Sequence, residues 1–230
     1  MDPENRQRGR LRTMRTSLGH LSRVDGSSIF QAGMTQVWAS ISGPGNAPSN
    51  FLEPDRIAFD VQFTTNFDQQ KNEIVDAFIE RVLEKVVECD LHPHTALTVS
   101  AQVLQEDGSM ISAALNAISL ALLDSAVSCN SVMCGVQLSK DQDGRLHLDP
   151  KRKEETGDFI VFACKATREA GATTISSLKF GTWNDELSKA AEEMALAAAS
   201  EIFGFFREAF QRQYRNDIFS KLADLSLTES

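Results

Sequence analysis

Several features that would settle a function class are scarce or missing in this chain of 230 residues. The four cysteines, Cys89, Cys129, Cys134 and Cys164, form no Cys-x-x-Cys pair. A zinc site therefore lacks its usual ligand spacing, and the thiols read as reduced, buried groups of an intracellular protein. No apolar run approaches the roughly 18 residues a membrane helix needs, which excludes a helical span. The N-terminal stretch MDPENRQRGRLRTMRTSLGH has no apolar h-region and so does not read as a secretory signal. Walker loops, dinucleotide fingerprints, Gly-x-Ser-x-Gly elbows and internal repeats are all absent. Positive charge is short overall: 23 Lys and Arg against 32 Asp and Glu give a net charge of −9. A surface that is basic throughout, as a broad nucleic-acid footprint requires, is excluded.

The basic charge that exists is concentrated at one end. Arg6, Arg8, Arg10, Arg12, Arg15 and Arg23 stand against only Asp2 and Glu4. Residues 1–15 read as a basic arm that either contacts an anion or is simply a solvated tail. The arm has no interleaved aromatic residues, which argues against base stacking there. No Pro/Gly/Ser-rich linker divides the remainder, so residues 16–222 read as one domain and 223–230 as a tail.

Within that domain the apolar period switches between two and 3.6. Asp25-Gly26 reads as a hairpin turn between two strands, and Gly43-Pro44-Gly45 as the end of the second. In RIAFDVQF, Ile57, Phe59, Val61 and Phe63 alternate with polar residues, as in an antiparallel strand with one wet face. Asp68 can cap a helix running to about Cys89, with Ile74, Val75, Phe78, Ile79, Val82, Leu83, Val86 and Val87 on one broad apolar face. ALTVSAQVLQ is a further strand, and the alanine-rich helix from about Ser109 to Ala126 is apolar nearly all round, as only a centrally buried helix can be. Asp143-Gly144 turns another hairpin, DFIVFACKA is a central strand and ATTISSLKFG follows it. Thr182 and Asp185 fit a capping box opening a long last helix. The order implies a mixed α/β domain, with one largely antiparallel sheet and a second built around βαβ crossovers.

Three places could carry chemistry. Asp107-Gly108-Ser109 joins a strand to a helix, where free N–H groups and the helix dipole favour an anion. The same residues also read as an ordinary turn with a serine cap. His92 and His94 flank Pro93, but no third metal ligand accompanies them. Asp149, Glu155 and Asp158 cluster before the central strand, where they could act as acid and base or hold a metal. Interleaved Lys151, Arg152 and Lys153 make a solvated loop the competing reading.

RVDGSSIFQAGMTQVWASISGPG, LHPHTALTVSAQVLQEDGSMISAALNA, CGVQLSKDQDGRLHLDP and FFREAFQRQY together resemble the ribonuclease PH family, over roughly residues 16–215. Within it they are most similar to small ring subunits of the eukaryotic RNA exosome. The resemblance implies a two-sheet fold with two central helices and a long C-terminal helix. It also implies a six-membered ring with other RNase PH-like subunits and cap proteins, acting in processing and decay of RNA, including ribosomal RNA, in nucleus, nucleolus and cytoplasm. No cofactor, metal or membrane is implied; DNA as a substrate and a homodimer of the isolated chain are further possibilities of the same resemblance.

Phosphorolytic members of the family follow the aspartate with Gly-Gly-Thr-Arg, whose Thr and Arg hold the attacking phosphate. Gly108-Ser109-Met110-Ile111 stand there in this chain. A Gly-Arg and Leu-Arg pair on the family's earlier helix becomes Glu80-Arg81 and Leu83-Glu84. Losing two charge-assisted donors, each contributing roughly 1.5–3 kcal/mol, weakens phosphate binding by roughly two to four decades. Two aspartates six residues apart in active members align here with a lysine and a phenylalanine; Asp149 with Glu155 keeps only the spacing. The resemblance therefore implies a non-catalytic subunit, with Gly108 and Ser109 as remnants of a phosphate site. Arg6, Arg8, Arg10, Arg12, Arg15 and Arg81 are the candidate RNA contacts. An active phosphorolytic or metal-dependent nuclease using Asp149, Glu155 and Asp158 is the alternative.

Overall fold

Two sheets enclose one helix that is buried over most of its length. The computed structural model describes residues 9–46, 55–65, 69–155, 157–167 and 171–228; Arg6, Arg8 and Asp68 lie outside them. Strands β1 (Met14–Leu18), β2 (Gly26–Ala32), β3 (Thr35–Asn46), β4 (Ala58–Thr64) and β5 (Thr95–Gln105) form a sheet in the order β1-β2-β3-β5-β4. Strands β6 (Met133–Lys140), β7 (Leu146–Leu148), β8 (Phe159–Thr167) and β9 (Gly171–Phe180) form a second, ordered β7-β6-β8-β9. Helix α2 (Met110–Ser125) contacts β2, β3 and β5 on one side and β6 and β8 on the other. Every side chain from Ile111 to Leu122 is buried, including Ser112, Asn116 and Ser119. Asn116 replaces strand partners there: its Nδ2 donates to the Gly135 carbonyl at 3.1 Å, and its Oδ1 accepts from Gly135 N–H at 2.9 Å.

Helix α1 (Gln69–Val86) packs over β4 and touches β9. Val75, Phe78, Ile79, Val82, Leu83, Val86 and, just past the helix, Val87 are buried as the spacing demands, but Ile74, at the edge of that face, is 49% exposed. Helix α3 (Asp185–Thr228) covers β6, β8 and β9 and reaches β1. Its 44 residues span about 66 Å at 1.5 Å per residue. Ala191, Ala195, Ala198, Ala199, Ile202 and Phe206 bury its near face in the common core.

Local details differ from the sequence expectations, each for a physical reason. The hairpin turn joining β2 to β3 is Gly33-Met34, since Ala32 pairs with Thr35 and Gly33 has φ +59°. Gly26 instead opens β2 against α2, where a Cβ would overlap the Ala121 carbonyl and stand 2.5 Å from the Ser125 nitrogen. Strand β3 does not stop at Gly43-Pro44-Gly45; it shifts register there and pairs on to Asn46. β4 runs parallel to β5, because α1 forms the crossover between them. The βαβ unit thus belongs to the five-stranded sheet, and the four-stranded sheet is antiparallel throughout. Asn184, not Thr182, caps α3: its Oδ1 accepts the Leu187 N–H at 2.8 Å.

Candidate functional site at the mouth of α2

Strand β5 ends at Gln105 and α2 begins at Met110, so the intervening turn aims the first amides of α2 into a cleft between the sheets. Gly108 has φ +83°, and an added Cβ would stand 2.5 Å from the Arg152 nitrogen and the Lys151 carbonyl carbon. Only glycine allows the turn to press against the 150–152 backbone. Ser109 follows in the left-handed conformation, at φ 55° and ψ 34°, and is buried. Its hydroxyl makes no cap bond to the helix; it donates to the Pro150 carbonyl at 3.0 Å. The serine cap expected from the sequence is therefore not formed, because the loop from β7 captures the side chain.

The freed amide has a partner of its own. Ser109 N–H donates to Glu155 Oε1 at 2.7 Å, and Gln137 Nε2 donates to the same oxygen at 2.7 Å. An internal carboxylate thus occupies the anion position at this helix N-terminus. Burial pushes the Glu155 pKa above its ordinary value; the Ser109 and Gln137 bonds oppose this, while the charge of Glu106 adds to it. No cation is bonded to Glu155 among the described residues.

On the other side of Gly108 lies a second carboxylate, this one buried, with the opposite treatment. Asp149 accepts from Arg12 N–H at 2.9 Å, Arg12 Nε at 3.0 Å and Arg12 Nη2 at 2.7 Å. The guanidinium also donates to the Asp107 carbonyl at 2.7 Å, to the Gly108 carbonyl at 3.1 Å and to Thr35 Oγ1 at 3.2 Å. Thr35 completes the lock by accepting from Asp107 N–H and donating to the Gly108 carbonyl. Arg12 is 6% exposed. This corrects its expected role as an RNA contact: every face of its head group is used to hold the α2 turn. The ordered body also begins within the stretch read as an arm, since Arg12 is buried and β1 starts at Met14.

A cavity of about 400 Å³ opens in front of this turn. Phe63, Val75, Met110, Ile111, Phe159 and Phe180 form its apolar wall, with Phe159 and Phe180 stacked at 4.6 Å between centroids. Glu106, Gln137, Arg152 and Glu155 supply most of its polarity. Arg152 reaches Glu106 Oε2 at 3.4 Å from an exposed position. Ile111, the second residue of α2, is 3% exposed and offers only hydrocarbon.

The three acids expected to act together are separated by their partners. Asp149 faces Arg12, and Glu155 faces Ser109 and Gln137. Asp158 is bound by Lys140 Nζ at 2.9 Å and by Thr182 N–H at 3.3 Å, which hold its pKa below the ordinary range, the Lys140 bond foremost. Of the three, only Glu155 lines the cavity. Arg81 is exposed on α1 and does not line it; Glu84 pairs with Arg56 at 3.6 Å on the surface rather than facing it. Arg10 and Arg15 are exposed. His92 and His94 belong to no metal-binding group among the described residues. Sequence reasoning missed Gln137, Glu106 and the paired phenylalanines. Gln137 carried a usable signal, as the polar residue in the otherwise apolar run MCGVQL.

The sequence comparisons agree with this architecture. The 3′ exoribonuclease family, domain 1 (RNase_PH), matches residues 10–128. The chain belongs to this family. It is 32% identical over 212 residues to the exosome complex component RRP46 homolog of Caenorhabditis elegans, covering 91% of this chain and 98% of that one. The crystal structure of rice (Oryza sativa) Rrp46 superposes with a TM-score of 0.81 at 26% identity, over 90% of this chain and 98% of that chain. An archaeal exosome core chain shares the fold, with a TM-score of 0.76 at 16% identity over 88% and 89% of the two chains. The two-sheet RNase PH-like fold with a long C-terminal helix is thereby established for this molecule.

Proposed function

We propose that this chain is a non-catalytic RNase PH-like ring subunit of the RNA exosome. It scaffolds 3′-to-5′ processing and decay of RNA beside other RNase PH-like subunits and cap proteins, in nucleus, nucleolus and cytoplasm. Full-length similarity to an exosome component supports the ring assignment. The observation that carries the non-catalytic reading is the Glu155 carboxylate on Ser109 N–H. A phosphate arriving at α2 meets a bound carboxylate, hydrocarbon from Met110 and Ile111, and, among the described residues around the turn, no arginine free of an acidic partner: Arg152 is with Glu106 and Arg12 with Asp149. Repulsion replaces the charge-assisted bonds that phosphorolysis requires. RNA contact then falls to surface arginines such as Arg15 and Arg81, and binding through them weakens steeply with salt.

The test has two arms. Complexes captured from cell extract through this chain contain other ring and cap subunits, identified by mass spectrometry. The purified chain, given single-stranded RNA and inorganic phosphate, releases no nucleoside diphosphate. Recovery of only a homodimer, or phosphate-dependent shortening of RNA or metal-dependent shortening of DNA by the pure chain, overturns the proposal.

A further inference from the structure

At the α2 mouth two acceptor oxygens, one on Glu155 and a buried one on Gln137, meet no donor among the described residues. Glu155 receives both of its hydrogen bonds on Oε1, so Oε2 has no partner among the described residues. Gln137 is 2% exposed, and its Oε1 is buried without a hydrogen-bond partner. The bond from Gln137 Nε2 to Glu155 fixes the amide head beside the carboxylate. A buried acceptor left unmet costs free energy that a correctly placed donor recovers.

The surroundings narrow the class of donor. The stacked Phe159 and Phe180, with Phe63, Met110 and Ile111, offer flat and apolar contact around the two oxygens. Carboxylates on the wall outnumber cations, since Glu106 already engages Arg152. A planar cation with paired N–H groups satisfies all of this at once. It can donate in a fork to a carboxylate, and its face packs on aromatic rings. A phosphate satisfies none of it.

We propose that the mouth of α2 is a binding site for a planar amidinium or guanidinium group, carried either on a small molecule or on an arginine side chain of a partner chain. The proposal rests on the reading that the anion slot is filled by Glu155.

Methyl NMR of the full chain, observing Ile111 and Met110 during titration with benzamidine, benzamide and inorganic phosphate, tests it. Benzamidine is expected to shift both residues saturably and to bind at least tenfold more tightly than its neutral analogue benzamide. In Glu155→Gln that preference falls to about one, while the surface control Arg145→Ala keeps it. Blocked arginine amide separates the sources: shifts matching those of benzamidine point to a partner's side chain, and shifts from benzamidine alone point to a small molecule. Equal binding of benzamidine and benzamide, no shift with either, or a preference that survives Glu155→Gln overturns the proposal. If Glu155→Gln fails to fold, the wild-type comparison of the two ligands decides. Failure of this kind leaves the non-catalytic reading intact, because phosphorolysis is assayed separately.

Discussion

Two carboxylates flank the Gly108 turn, Asp149 buried and Glu155 partly buried, and the protein treats them oppositely. Asp149 is neutralised by a three-bond contact with Arg12, and every remaining donor of that guanidinium is spent on the turn. Among the described residues Glu155 receives only neutral donors, from Ser109 and Gln137, and one of its oxygens has no partner. The first arrangement is a structural clamp with nothing left over for a ligand. The second fills the position where a helix N-terminus would receive an external anion, and it does so incompletely. A buried charge with a full partner set reports on architecture; a partly buried charge with a partial set reports on a site.

The largest effect should come from breaking the clamp. Arg12→Ala leaves Asp149 buried without its cation, and the expected loss is about 3–5 kcal/mol of stability in denaturant unfolding. A loss below about 1 kcal/mol would mean that Asp149 protonates or finds water instead. Next comes the turn between the two acids. Gly108→Ala places a side chain at φ +83° against the Lys151 and Arg152 backbone, with an expected cost of about 1–3 kcal/mol from conformation alone. Unchanged thermal stability would show that the loop can retreat.

Glu155 gives a smaller effect of the opposite sign, visible in pH. Its folded pKa is raised above the ordinary 4.5. The folded state therefore holds its proton more tightly, and stability falls as pH rises from about 4.5 through the folded value. Wild type should lose stability relative to Glu155→Gln across that window, and a difference that is flat with pH would show that the carboxyl is not desolvated. The smallest effect is expected at Asp158, whose Lys140 partner lies near solvent. Lys140→Ala should leave the melting temperature unchanged, and a clear drop would give that pair a structural weight comparable to the clamp.

Much of this was legible in the chain, and the failures share a cause. The buried faces of α1 and α3 follow from apolar spacing, because one-turn recurrence reports directly on a single packed side, and the all-round burial of α2 follows from its all-round apolar sequence. Gly26 and Gly33 were confused because both satisfy turn chemistry locally, and only the approach of Ala121 and Ser125 shows that Gly26 serves packing. The direction of β4 was hidden for the same reason: alternation reveals a half-buried strand but not the orientation of its neighbour. At the site, the apolar Ile111 after the turn could be read from the sequence, whereas the Glu155 carboxylate on the Ser109 amide could not. That bond joins residues 46 positions apart. Arg12 misled because a charge in a basic run usually faces water, and its partner lies 137 positions away.

Binding of inorganic phosphate to the pure chain, followed by the 31P linewidth with and without Glu155→Gln, tests the filled slot most directly. The account predicts no saturable binding to wild type at millimolar phosphate. Saturable binding that is lost when Gly108 is replaced by alanine would contradict it.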